Sequence, residues 1–214
     1  MRLFVAIRFS PAVRAVLLDA VDALRRQGQG TFTRPENLHL TLAFLGEVED
    51  PASVREALAA ACTGGAFSLT VGGLGRFEDL WWAGVRDNER LEALALRAQD
   101  ALRQAGFSVE RRPWRPHITL VRRWRGPQPR LTVPDTAMRV ERVSLMKSER
   151  VEGKLVYTEL WAFRLSCGKK AGRRLSPGFS CVVLLLSRAW RRRGNRRSAA
   201  SGGKSEPVSR KRHD

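Results

Sequence analysis

Two histidines stand in matching tetrapeptides, His39-Leu40-Thr41-Leu42 and His117-Ile118-Thr119-Leu120, in a chain with only one further histidine. Each copy follows a proline by a few residues, at Pro35 and Pro116. On a β-strand, residues i and i+2 point to one face, so each segment presents an imidazole beside a hydroxyl. Two such strands facing one another would hold two imidazoles and two hydroxyl donors around a shared point. Displacement at a phosphodiester needs that set. One imidazole takes a proton from the attacking water while the other protonates the departing ribose oxygen. Histidine suits both roles because its ordinary pKa, about 6.5, lets either form be populated near neutrality.

The two roles require opposite protonation states, so the two environments must differ even though the motifs match. Thr41 and Thr119 would donate to the non-bridging phosphate oxygens, and a fixed cation would offset their charge. Arg122, five residues after His117, is the first candidate for that cation. On a straight strand it would face away from His117, so it reaches the site only past a bend. Arg115 and Arg123 are the alternatives.

A histidine in an apolar strand is commonly a core or edge residue, and strand threonines commonly reflect β propensity. The paired copies are what single these out. Other chemistries fit less well. Two histidines without a nearby carboxylate or thiolate cluster fall short of a metal's usual three or four protein ligands, so no metal or other cofactor is expected. There is no Gly-x-Ser-x-Gly elbow and no Gly-x-x-x-x-Gly-Lys-Ser/Thr loop, which disfavours a serine hydrolase and a nucleoside triphosphatase.

The elements that must position the pair are legible in outline. Arg2 to Phe9 is a β-branched and aromatic run. Ser10-Pro11 then caps a helix to about Gln27, with Val13, Val16, Leu17, Ala20, Val21 and Leu24 on one face, ended by Gly28 and Gly30. A strand at Leu38–Leu45 precedes a second cap-and-proline signal, Asp50-Pro51, and a helix through Ala61. Strands are expected at Phe67–Gly75 and Leu80–Val85, joined by a turn at Glu78-Asp79. Asn88 opens a helix through Ala105, and strands follow at about 117–122, 139–147 and 155–165.

Strand, helix and His-x-Thr strand occur in that order twice, over 2–45 and 80–120, which marks an internal duplication. The expected fold is α+β and bilobal, two mainly antiparallel sheets facing across a central cleft with helices outside.

This chain of 214 residues is 43 % hydrophobic, with a net charge of +18. Residues 166–214 hold fourteen Lys and Arg against Glu206 and Asp214, +12 of the total, which leaves +6 for residues 1–165. A polyanionic partner follows from that charge, though the charge alone does not choose one. We expect a catalytic domain over 1–165 and a disordered basic tail over 166–214. The tail reads as a nucleic-acid-binding arm, as a solvated extension without a role, or as an unselected out-of-frame extension. Cys62, Cys167 and Cys181 form no disulfide or metal framework, so a reducing cytoplasm is expected. No signal peptide or membrane span is apparent.

The sequence resembles the 2H phosphoesterases, and within them the bacterial and archaeal RNA 2′,3′-cyclic phosphodiesterases once called 2′-5′ RNA ligases. The likeness covers about residues 1–165. It rests on the two motifs together with Arg2-Leu3-Phe4-Val5-Ala6-Ile7, Leu42-Ala43-Phe44-Leu45-Gly46, Trp82-Ala83-Gly84-Val85, Arg115-Pro116-His117 and Leu145-Met146-Lys147-Ser148. The resemblance implies metal-free hydrolysis of an RNA 2′,3′-cyclic phosphate end to a 2′-phosphate. It also implies weak reversible ligation of RNA ends such as tRNA halves, carried out by a monomer. It gives His39 as the acid on the ribose 3′ oxygen and His117 as the base on water, and swapping the roles would leave the reaction unchanged. It further suggests that Phe9 or Phe44 stacks the terminal base. The competing expectations are an RNA-end-binding module without catalysis and a phosphodiesterase for another cyclic phosphate.

Overall fold

The computed structural model describes residues 1–165; the basic tail lies outside the described residues. Every helix start read from the sequence is built as expected. Helix α1 (Pro11–Arg25) begins on Ser10, whose side chain accepts from the Val13 amide. Helix α2 (Pro51–Ala61) begins on Asp50, which accepts from the amides of Ala52 and Ser53. Helix α3 (Glu89–Gln104) begins on Asn88, which accepts from the Leu91 amide. Each cap satisfies an amide that the first turn leaves open, worth about 1 kcal/mol.

The strands are β1 (Arg2–Ile7), β2 (Gln29–Phe32), β3 (Leu40–Glu47), β4 (Phe67–Phe77), β5 (Leu80–Val85), β6 (Ile118–Arg125), β7 (Thr136–Val140), β8 (Arg142–Val151) and β9 (Lys154–Arg164). They form two sheets, ordered β3-β1-β8-β9 and β2-β6-β5-β4-β7. Every pairing is antiparallel. The α+β class and the two antiparallel sheets are as the sequence implied.

Two elements differ from expectation. The single strand expected at 139–147 is two strands in different sheets. β7 pairs with β4, the chain breaks at Glu141, and β8 pairs with β1. An unbroken strand pattern cannot show a change of sheet, because alternation reports which face is buried and not which neighbour is bonded. Strand β2 was absent from the sequence reading. It is short, contains Gly30, and pairs with β6 about ninety residues away. Gly30 is where it is for contact: a Cβ there would lie 2.6 Å from a Val121 methyl and 2.9 Å from the Arg122 carbonyl oxygen.

In each of the two strand–helix–strand stretches the first strand pairs with the His-x-Thr strand: β1 bonds β3 and β5 bonds β6. The two sheets are nevertheless not the two halves of the chain. The late strands β8 and β9 complete the first sheet, and β2 joins the second. The helices cross over too: α1 packs on β2, β6 and β7, while α2 and α3 pack on β9 and β3 respectively. One continuous core runs through both layers, from Leu3, Val5 and Ile7 through Leu17 and Leu58 to Leu102 and Ile118. A fully buried Leu or Ile side chain contributes about 1.5–3 kcal/mol.

Candidate active site

His39 and His117 each sit one residue before their strand, β3 and β6. Both are half-buried. Their rings are held alike: His39 Nδ1 lies 2.7 Å from the Asn37 carbonyl oxygen, and His117 Nδ1 lies 2.8 Å from the Arg115 carbonyl oxygen. A carbonyl oxygen only accepts, so in both rings Nδ1 carries the proton and donates, leaving Nε2 as the nitrogen able to exchange one. Each imidazole is also braced by two aromatic rings. Phe4 and Tyr157 stand 4.8 Å and 5.2 Å from His39, centroid to centroid. Phe77 and Trp82 stand 5.3 Å and 6.5 Å from His117. Gly75 makes room for the Trp82 ring, which a Cβ would meet at 2.2 Å.

The threonines are set by matching registers. Thr41 pairs across from Ala6, and Thr119 across from Trp82. Their carbonyls are also tied: Trp114 Nε1 donates to the Thr41 oxygen at 3.0 Å, and the Thr33 hydroxyl donates to the Thr119 oxygen at 2.8 Å.

Directly after each threonine the strand carries one extra residue. In β3 the partners run Ala6–Thr41 and then Val5–Ala43, which leaves Leu42 unmatched. In β6 they run Trp82–Thr119 and then Trp81–Val121, which leaves Leu120 unmatched. A bulge of this kind inverts the alternation. Leu42 and Ala43 are both buried, as are Leu120 and Val121, and the next residues, Phe44 and Arg122, emerge on the side of the histidines. This is the bend that Arg122 needs. Its Nη2 reaches to 3.5 Å from Thr119 Oγ1. Arg123, in the left-handed region at φ 54, lies at a second irregularity, where the register of β6 against β2 shifts.

His39, Thr41, His117, Thr119 and Arg122 therefore line one cleft of about 400 Å³, with Tyr157. Arg123 lines it as well, whereas Arg115 opens on a neighbouring groove with His117. Phe44, 45 % exposed, lies between that groove and another that reaches His39, with the Arg2 guanidinium 5.1 Å from its ring centre. Phe9 does not reach the site. It is 9 % exposed in the core directly after β1, so it has no face for a base, and its sequence role is corrected. Sequence reading also missed the bracing rings Phe4, Tyr157, Phe77 and Trp82. Phe4 and Trp82 lie inside the quoted motifs, but nothing in their spacing points them at histidines.

Burial lowers the His39 pKa below its ordinary value, and the charges of Arg122 and His117 lower it further, partly opposed by the bond to Asn37. The lowering favours the neutral imidazole in the free site. Among the described residues no group of three or more His, Cys, Asp and Glu side chains could hold a metal.

A model of the 2′-5′ RNA ligase superfamily matches residues 11–152. The chain belongs to that superfamily. As one of its members it is 38 % identical to a *Geobacillus stearothermophilus* protein named RNA 2′,3′-cyclic phosphodiesterase, over 56 % of this chain and 41 % of that one. The match thus spans less than half the length of that relative. A protein of the same name from *Thermotoga maritima* is 36 % identical over 57 % of this chain and 70 % of its own. The crystal structure of *E. coli* LigT in apo form is similar with a TM-score of 0.65 and 29 % identity, over 77 % of this superfamily member and 97 % of LigT. Among the described residues no helix is long and apolar enough to cross a membrane.

Proposed function

We propose that this protein hydrolyses the 2′,3′-cyclic phosphate at an RNA end to a 2′-phosphate, with residues 1–165 carrying the reaction. The observation that carries the reading is the pair of imidazoles in one cleft, each with Nδ1 tied to the backbone carbonyl two residues earlier. Membership of a superfamily whose relatives bear the cyclic phosphodiesterase name supports the substrate class.

In this reading His117 Nε2 takes a proton from water as the water oxygen bonds to phosphorus. The bond from phosphorus to the ribose 3′ oxygen breaks, and His39 Nε2 protonates that oxygen, giving a 3′-hydroxyl and a 2′-phosphate. Burial, Arg122 and His117 lower the His39 pKa in the free site, so His39 must take its proton from solvent to act as the acid. The anionic phosphate beside it favours the imidazolium and opposes the lowering by burial and by Arg122. Thr41 and Thr119 donate to the non-bridging oxygens, and Arg122 offsets the charge that gathers there. Phe44 offers its exposed ring to the terminal base. The chain acts as a monomer in a reducing cytoplasm, and the same site run in reverse joins a cyclic phosphate end to a 5′-hydroxyl, as with tRNA halves.

The test is turnover of a short RNA ending in a 2′,3′-cyclic phosphate, with EDTA present and the product phosphate located. A 2′-phosphate formed at undiminished rate in EDTA is the expected result. A bound but unchanged RNA would make the protein an end-binding module, and a 3′-phosphate product would overturn the assignment of the leaving oxygen.

A further inference from the structure

Three grooves meet at Thr41, and they differ in charge. The groove along Phe44 mixes Glu47 and Glu149 with Arg2, Lys147 and Arg150, and the groove along Trp114 mixes Glu110 with Arg112 and Arg115. The cleft that holds both histidines has no carboxylate among its lining residues. Beyond the reacting groups its walls carry Arg34 and Arg123 on one side. On the other, Arg150 and Lys154 flank the turn of the β8–β9 hairpin.

These cations differ in how far they are already engaged. Arg34 is paired with Glu36 at 3.8 Å, and outside the cleft Lys147 is held by Glu149 at 2.6 Å. Arg150 only donates to the Gly153 carbonyl oxygen at 3.2 Å, across the hairpin turn. Arg150 and Lys154 are exposed, and neither forms an ion pair among the described residues. The hairpin that carries them is fixed to the site. Asn37 is buried, and its Nδ2 donates to the Leu155 carbonyl oxygen at 3.0 Å, while its own carbonyl oxygen holds His39. These two cations, without an ion pair among the described residues, thus flank a hairpin turn whose β9 side is tied to the first histidine.

We infer that the β8–β9 hairpin turn is a phosphate-tracking rim, on which Arg150 and Lys154 pair with the backbone of the single-stranded RNA leading up to the cyclic end. This rests on the RNA phosphoesterase reading above and adds to it the path of the preceding nucleotides. Arg150 stands where this cleft meets the groove of Glu47 and Glu149, whereas Lys154 lines this cleft and neither of the other two grooves. A strand leaving the histidine pair passes cations mixed with carboxylates along either of the other grooves and cations without carboxylates along this one. The rim reads no base, because a guanidinium and an ammonium on an exposed turn meet the repeating phosphate. It makes an oligonucleotide a better substrate than a single nucleotide with the same cyclic end.

The test uses the full chain and the double variant Arg150→Gln/Lys154→Gln. Binding of a labelled single-stranded hexanucleotide ending in 2′-phosphate is followed by anisotropy against salt, beside kcat/KM on a single nucleoside 2′,3′-cyclic phosphate. Two lost phosphate contacts on a single strand should make the log–log salt slope shallower by about 1.4, so a tenfold rise in salt costs the wild type roughly 25-fold more affinity than the variant. The basic tail is common to both proteins and cancels in the difference. Turnover of the single nucleotide should be unchanged. A control that removes equal charge elsewhere, Arg55→Gln/Arg139→Gln on α2 and β7, exposed and outside the three grooves, should keep the wild-type slope. Parallel slopes for wild type and rim variant would overturn the inference, as would equal flattening in the control. If the wild type turns over no cyclic phosphate, the phosphoesterase reading fails, and the anisotropy slopes still decide whether the rim holds RNA.

Discussion

The β3 wall and the β6 wall of the cleft are built to one plan and finished differently. Both give a histidine locked through Nδ1, a threonine two residues on, and an extra leucine that inverts the strand. Five residues after the histidine they part, with Phe44 on one wall and Arg122 on the other. The shared part is what proton transfer requires, and it is nearly symmetric because taking and giving a proton call for the same group. In the proposed reading the unshared part gives the substrate a direction. A cation favours the phosphate, an aromatic ring favours a base, and a cyclic phosphate end has one of each.

The largest expected effects fall on the shared part. His39→Ala and His117→Ala should each lower kcat by ~10²–10⁴-fold, the range for losing a positioned acid or base. A phosphodiester with a nitrophenolate leaving group needs no acid, so it should restore most of the rate to His39→Ala and little to His117→Ala. The opposite pattern in steady-state rates would exchange the two roles. Arg122→Met comes next, with about 10²-fold lost from kcat, the scale of one group that stabilises transition-state charge. If Arg122→Met changed only KM, the cation would be a docking group and the two walls would differ in binding alone.

Smaller again is Phe44→Ala. Losing one base-stacking face should raise KM by some fivefold, about 1 kcal/mol, with kcat nearly intact. An unchanged KM on RNA ends would leave Phe44 without a base to hold. The smallest effect is on stability. Because His39 has a lowered pKa when folded, the unfolded chain binds more protons than the folded one as pH falls through the ordinary histidine value of about 6.5. Stability is therefore lost on that side. The Tm should fall between pH 7.5 and 5.5, and His39→Gln should flatten that fall. A His39→Gln protein with the same pH dependence would show that other groups cause it.

What the sequence disclosed follows from the range of the signals involved. Helix caps are local, and Ser10, Asp50 and Asn88 were all readable because the capping side chain and the amide it serves are neighbours. The histidine pair was readable because it is a repeat. Arg122 was readable only with a bend supplied from outside, since no residue type marks a bulge at Leu120. Only the pairing with β5 reveals it. The change of sheet at Glu141, the existence of β2 and the rings behind each imidazole were hidden for the same reason. Each depends on which distant strand lies alongside, and Phe9 went to the core on those terms.

The crossing of the two halves bears on how the molecule comes into being. Arg2 takes its place opposite Ser148, and the ring that braces His39 belongs to Tyr157. A chain made from its amino terminus holds β1 for most of its synthesis with one of its two neighbours missing. Pairings this distant are slow to close, because the loop entropy comes before the contacts that offset it. The cleft is thus completed last, and a shortened protein carrying both His-x-Thr segments but ending before β8 would keep every residue of the motif without the site.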